Sequence, residues 1–114
     1  MTSIKVKIDA ADGNRVALVT LDNQRRLNCL TSAIVTDITQ TFLELAQDAA
    51  LRAVVLTGAG DRAFIGGADL GELHACTADD ARLYITRLHQ ACQAIHDCPV
   101  PVIGRINGFC LGAG

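Results

Sequence analysis

Short apolar stretches along the chain predict four β-strands. Residues 4–8 alternate isoleucine or valine with lysine, which is typical of a strand with one exposed face. Residues 12–14 (Asp-Gly-Asn) are a turn signal, so residues 16–21 are predicted to return antiparallel to the first strand. The β-branched run at residues 53–57 predicts a buried strand. A last strand is predicted at residues 102–106, just after two prolines that stop the preceding element.

Two longer stretches carry apolar residues at helical spacing. The first follows a capping residue, Thr31 or Ser32, and is predicted to end near Ala50. The second follows the capping-box pattern at residues 77–80 and is predicted to end at about Asp97. Apolar positions that step by three or four are Ile34, Ile38, Phe42 and Leu45 in the first, and Tyr84, Leu88, Ala91 and Ile95 in the second. A strand, a helix and a strand in this order predict a right-handed crossover between parallel strands, and therefore an α/β fold.

Residues 62–73 lead from an apolar strand through paired glycines into a helix start, and the chain is organised around them. Gly66 and Gly67 let the backbone approach a ligand without a Cβ in the way, and Asp69 suits the N-cap of the helix. A second turn of this kind follows the last strand, within residues 99–114. Two such turns side by side could supply two convergent N–H donors, the minimum for stabilising an enolate or a tetrahedral oxyanion. The alternative is a pair of tight strand-to-helix turns that hold no ligand.

Three segments resemble, in the same order along the chain, signature segments of the crotonase (enoyl-CoA hydratase/isomerase) superfamily. They are residues 21–30, 63–73 and 101–114, which read LDNQRRLNCL, AFIGGADLGEL and PVIGRINGFCLGAG. The resemblance implies a crotonase-like spiral of strand-strand-helix units, of which the chain carries the N-terminal part only. Residues 1–114 are accordingly expected to form a single, C-terminally incomplete crotonase-like domain.

The resemblance also implies the residues of a site. The backbone N–H groups of Ala68 and Ala113 are expected to hold the thioester oxygen of an acyl-CoA in an oxyanion hole. Ala113 replaces the commoner glycine, and a helix start expected at that point would keep its φ negative. Arg26 is expected near the phosphates or the pantetheine of CoA, with a solvated loop as the alternative role for Arg25 and Arg26. The CoA-binding positions implied are Arg26, Leu27, Ala68, Asp69, Leu70 and Gly71.

The reaction implied by the resemblance is the addition of water to a 2-enoyl-CoA through a stabilised enolate. Double-bond isomerisation is the alternative within the family. The two glutamates that hydratases use correspond to positions beyond Gly114, and neither Asp69 nor Glu72 stands at a matching position. The 114-residue chain is therefore expected to hydrate its substrate at a trace rate. An alternative from a different functional class is a truncated, non-catalytic remnant that at most binds acyl-CoA or assembles with other subunits. His74 is more typical of a surface residue than of a base.

The composition and charge of the chain limit the kinds of partner that it is expected to bind. The net charge is −2 and the chain has neither a basic nor an acidic tail, so the sequence shows no basic surface of the kind that binds a nucleic acid. No apolar run approaches the length that spans a bilayer, so no membrane partner is expected. The partner implied by the resemblance is an acyl-CoA thioester, and because CoA is part of that substrate, no separate cofactor is expected. A homo-oligomer is also expected, a trimer or a dimer of trimers as in the family.

Five cysteines without a CxxC pair predict reduced thiols and a cytoplasmic location. His89, Cys92 and His96 recur at helical spacing, which is the pattern of a metal site. Cys92 also falls in step with Leu88 and Ile95, and a cysteine on an apolar stripe behaves as a small buried hydrophobe. The buried role is favoured, and no metal is expected.

Overall fold

The structure is a computed structural model that describes residues 4–10 and 14–114. The strands are β1 (Ile4–Asp9), β2 (Arg15–Leu21), β3 (Leu51–Gly58), β4 (Ala63–Ile65), β5 (Val102–Arg105) and β6 (Phe109–Cys110). The helices are α1 (Ser32–Leu45), α2 (Leu70–His74) and α3 (Ala78–His96). The predicted turn at residues 12–14 lies largely outside the described residues.

Four strands form one sheet in the order β1-β2-β3-β5, and β4 pairs with β6 in a second sheet. β2 runs antiparallel to β1, with Leu21 opposite Ile4, as the alternating pattern predicts. β3 is parallel to both β2 and β5, so the parallel pairing predicted from strand, helix and strand is confirmed. Antiparallel β1 and β2 followed by α1, with parallel β3 beyond it, give the α/β fold predicted from the sequence.

The core lies where the four-stranded sheet meets α1 and α3. The whole predicted stripe of α1 is buried, and in α3 Tyr84 and Ala91 are buried while Leu88 and Ile95 pack against them. The largest side chains with almost no exposure are Phe42, Leu21, Ile34, Val19, Val35 and Val54. Burial of a side chain of this size contributes about 1.5–3 kcal/mol, so this cluster holds the helices on the sheet. Among the described residues, no helix is both long and apolar enough to cross a membrane.

The helix caps follow the sequence, but the predicted end of α1 is wrong. Thr31, and not Ser32, accepts a hydrogen bond from the Ile34 amide, and α3 begins with the complete capping box. α1 ends at Leu45 and not near Ala50, because the Asp48 carboxylate accepts a hydrogen bond from the Ala50 amide at 3.0 Å and so closes a turn in place of another helical turn. β3 consequently begins at Leu51, before the predicted start, and ends at Gly58, while β5 ends one residue early, at Arg105.

The predicted burial of Cys92 is also wrong. The buried face of α3 is centred on Tyr84 and Ala91, and Cys92, one residue further, is turned away by about 100°. Cys92 is exposed together with His89 and His96. In the part of the chain that the structure describes, no group of three or more His, Cys, Asp or Glu side chains could hold a metal ion.

Candidate functional site

The segment that follows β2 has an unusual backbone. Gln24–Arg26 form a single turn of 3-10 helix. Leu27 and Asn28 both have a φ of 53°, a backbone conformation that residues other than glycine rarely adopt. The buried Asn28 side chain holds this conformation. Its Nδ2 donates to the Ala63 carbonyl at 2.8 Å and to the Ala59 carbonyl at 3.1 Å. The backbone around Arg26 and Leu27 is therefore fixed by contacts to the loop after β3 and to the first residue of β4.

The same segment then runs beside the first glycine turn. The Gly66 amide donates to the Leu27 carbonyl at 2.9 Å, and the Leu30 amide donates to the Gly67 carbonyl at 2.8 Å. Leu30 and Ala68 form a parallel bridge, in which the Asp69 amide donates back to the Leu30 carbonyl at 3.1 Å. These bonds bring the two segments into contact, although they lie far apart in the sequence.

Tyr84 supports this bridge from α3. Its hydroxyl donates to the Leu30 carbonyl at 2.8 Å, so that carbonyl accepts two hydrogen bonds. Burial raises the pKa of Tyr84 above its usual value, and the nearby charges of Glu72 and Asp69 raise it further. The phenol therefore stays protonated and remains a donor at neutral pH.

Asp69 joins the first glycine turn to Arg26. Its carboxylate caps α2, as predicted, by accepting from the Glu72 amide at 3.1 Å, and it also accepts from the Arg26 guanidinium at 3.1 Å. The Asp69 side chain is only 6% exposed, whereas that of Arg26 is 58% exposed. Gly71 lies against this pair, since a Cβ there would stand 3.2 Å from Arg26 Nη2. Arg26 thus has donors left over for an external anion.

The second glycine turn lies alongside the first. β6 is parallel to β4, with Ala63 opposite Phe109, and the Leu111 amide donates to the Ile65 carbonyl at 3.0 Å. Gly112 has a φ of 55°, and a Cβ on it would lie 3.6 Å from the Cα of Gly67. The structure therefore brings the two turns together at their glycines.

Ala68 and Ala113 each follow one of these glycines. Within the described residues, neither of their amides donates a hydrogen bond to another protein group. Residues 111–114 form a turn, closed by the Gly114 amide on the Leu111 carbonyl at 2.9 Å, and the helix start expected at Ala113 stays a prediction. The φ of Ala113 is negative, as an alanine requires. Two unpaired amides, one from each turn, suit an oxygen that develops negative charge.

The carboxylates near these amides are engaged in structural contacts. Asp69 caps α2 and pairs with Arg26, while Glu72 accepts from both the amide and the hydroxyl of Ser32 and so ties α2 to the start of α1. His74 is exposed at the end of α2. Of the predicted CoA-binding residues, Leu70 is 77% exposed and Leu27 is half-buried in the αL conformation.

Asn28 and Asn107 carry contacts that the sequence pattern does not indicate. Both side chains bond to the chain that connects β3 to β4. An asparagine next to a glycine, as in Asn107-Gly108, is an ordinary turn signal, so nothing local marks it as a link between distant segments. For Asn28 the only sequence signal is the tolerance of asparagine for positive φ.

Comparison with known proteins points to one family. The family model for enoyl-CoA hydratase/isomerase matches residues 11–114. The short-chain-enoyl-CoA hydratase of Clostridium acetobutylicum is 32% identical over 100 residues, which are 88% of this chain and 38% of that protein. The fatty acid oxidation complex subunit alpha of Shewanella loihica is 35% identical over 103 residues, covering 89% of this chain and 15% of that one.

Solved structures agree. The crystal structure of an enoyl-CoA hydratase from Bacillus anthracis matches with a TM-score of 0.91 at 30% identity, covering 99% of this chain and 43% of that one. An enoyl-CoA hydratase/carnithine racemase from Magnetospirillum magneticum matches with a TM-score of 0.90 at 31% identity, covering 99% and 42%. The chain thus spans well under half the length of most of these relatives, and its fold is the N-terminal portion of the crotonase fold. With its signature segments in order and a family model matched over residues 11–114, the chain belongs to the enoyl-CoA hydratase/isomerase family.

Proposed function

We propose that this protein binds an acyl-CoA thioester and stabilises the enolate of that thioester with the backbone amides of Ala68 and Ala113. The observation that carries the proposal is that two amides, which donate to no protein acceptor among the described residues, follow adjacent glycines of two paired turns. An enolate oxygen carries more negative charge than the thioester carbonyl from which it forms, so both donors bind it more strongly. Loss of one such donor typically costs about 3 kcal/mol of transition-state stabilisation.

The CoA moiety is assigned to the face that carries Arg26, Leu27 and residues 68–71. The Arg26 guanidinium bonds Asp69 through one nitrogen and is more than half exposed, which leaves donors for a phosphate or the pantetheine. The bridge between Leu30 and Ala68 places this face next to the first amide. One extended ligand is therefore expected to reach from Arg26 to the two amides.

The reaction proposed is hydration of a 2-enoyl-CoA, because several of the similar proteins are named enoyl-CoA hydratases. Isomerisation of the double bond passes through the same kind of enolate, so the amides suit either reaction, and analysis of the product distinguishes the two. A cytoplasmic location and a homo-oligomeric state belong to the same proposal. The first is supported by the five cysteines, all of which are free thiols.

The test is the binding of butyryl-CoA and of free CoA, measured by calorimetry with two matched variants. Arg26→Gln is expected to weaken binding of both ligands by about tenfold, since it removes a charged hydrogen-bond donor. Arg25→Gln, a neighbouring exposed arginine without an ion pair to the described residues, is the control and is expected to bind as the unaltered protein does. Absence of butyryl-CoA binding by the unaltered protein, or equal losses in the two variants, would contradict the proposal.

A further inference from the structure

The Asn107 side chain joins β5 and β6 to the loop that follows β3. Its Nδ2 donates to the carbonyls of Gly58 and Gly60, both at 2.8 Å. Its Oδ1 accepts from the Gly58 amide at 3.2 Å and, more weakly, from the Thr57 hydroxyl at 3.4 Å. All the hydrogen-bonding groups of this side chain are therefore directed at Thr57, Gly58 and Gly60, at the end of β3 and just beyond it.

These hydrogen bonds matter because of where Asn107 lies in the chain. It lies two residues after the end of β5 and two before the start of β6, where the chain passes from one sheet to the other. Directly beyond it, the Phe109 amide donates to the Arg62 carbonyl at 3.0 Å, and the Leu111 amide donates to Ile65. The bonds of Asn107 thus fix the starting point from which β6 aligns with β4.

We propose that Asn107 is a positioning residue, which sets the register of the second glycine turn and so holds the Ala113 amide beside that of Ala68. The inference rests on the proposed function of these two amides and adds the side chain that aligns them. In this proposed role Asn107 makes no contact with the thioester itself. It acts through β6, whose two residues make too short a ladder to set their own register.

Asn28 holds other residues of the same region of the chain. It bonds to the carbonyls of Ala59 and Ala63, whereas Asn107 bonds to Gly58 and Gly60. The two asparagines therefore differ in what they align: Asn28 fixes the segment that carries Arg26, and Asn107 fixes the second amide. A change at Asn107 is accordingly expected to affect polarisation of the thioester and not the affinity for CoA itself.

The experiment uses a 2,4-dienoyl-CoA as the probe, because hydrogen bonds to its carbonyl polarise the conjugated system and shift its ultraviolet absorbance to the red. Asn107→Ala and the milder Asn107→Ser are compared with Asn14→Ala, which changes an exposed asparagine just before β2. We expect both Asn107 variants to lose most of the red shift while their dissociation constants for free CoA stay within about twofold of the unaltered protein. Asn14→Ala is expected to keep the full shift.

Each result decides between the two proposals. A folded Asn107→Ala that keeps the full red shift overturns the positioning role, and so does a variant that loses CoA affinity along with the shift. Absence of a red shift in the unaltered protein overturns the proposed function itself. A second measurement needs no variant: under native conditions, the amide protons of Gly58, Phe109 and Leu111 should exchange with solvent through one shared opening. Exchange of Phe109 and Leu111 much faster than that of Gly58 would also overturn the role of Asn107.

Discussion

Replacement of Gly108 by alanine tests whether close contact between the two turns holds the site together. A Cβ on Gly108 would lie 2.3 Å from the Arg62 carbonyl oxygen and 2.7 Å from the Ala63 nitrogen, and both are backbone atoms that cannot rotate away. Ordinary contacts of a Cβ begin at 3.4 Å. The backbone at Gly108 must therefore move by about 1 Å, a displacement that is large on the scale at which active sites tolerate error.

The expected cost follows from the bonds beside the contact. Separation of the two segments weakens the hydrogen bond from the Phe109 amide to the Arg62 carbonyl, now 3.0 Å long, and such a bond contributes about 1 kcal/mol. Strain from overpacking adds about 1–3 kcal/mol. We therefore expect Gly108→Ala to reduce the free energy of unfolding by about 2–4 kcal/mol.

Gly104→Ala is the matched control, because it makes the same substitution in the preceding strand. The nearest atom to a Cβ at Gly104 is the Cγ1 of Ile106 at 4.0 Å, so this variant is expected to change stability by less than about 0.5 kcal/mol. Urea unfolding followed by the fluorescence of Tyr84, the single tyrosine in a chain without tryptophan, measures both variants. Equal urea midpoints for the two variants would refute the role given to this contact.

Three further predictions concern stability, turnover and assembly. Two hydrogen bonds from Arg15 hold the pKa of Asp48 below its ordinary value. The stability that this pair contributes is therefore present above about pH 4 and is lost as the pH falls through the lowered pKa. Arg15→Gln should lose less stability in acid than the unaltered protein does, and an unchanged dependence of stability on pH would contradict this. The 114-residue chain is expected to hydrate a 2-enoyl-CoA at a trace rate, because Asp69 and Glu72 are engaged elsewhere; substantial loss of the enoyl absorbance would show that one of them transfers the proton. The same polypeptide is expected to self-associate, and a single monomeric species in sedimentation would contradict that. The exposed apolar side chains behind this expectation are Ile103, Ile106, Phe109 and Leu111.

Local signals in the sequence predict much of this fold. The stripe of α1 is recognisable because its apolar residues repeat every three or four positions, and the whole stripe is buried. The caps at Thr31, Asp69 and Thr77 are also predictable from local sequence, because each side chain accepts a hydrogen bond from an amide only three residues further along the chain. Pairing of β2 with β3 follows from the order of elements along the chain.

What the sequence does not reveal depends on contacts between distant residues. The αL conformation at Leu27 and Asn28 persists because Asn28 bonds carbonyls 31 and 35 residues away. Asn107 bonds residues 47 to 50 positions away, and no periodicity marks either asparagine. α1 stops before Ala50 because the Asp48 carboxylate competes for a backbone amide, an outcome that apolar spacing does not indicate.

The adjacency of the CoA segment and the two unpaired amides is tested most directly by nuclear magnetic resonance. The backbone amide signals are followed while butyryl-CoA is added, and again with free CoA. We predict that the signals of Ala68 and Ala113 move with butyryl-CoA and not with free CoA, because only the thioester carries the carbonyl that they bind. Signals of Arg26 and Leu27 should move with both ligands. Movement of Ala68 and Ala113 that is the same with either ligand, or no movement at all, would contradict the proposed oxyanion site.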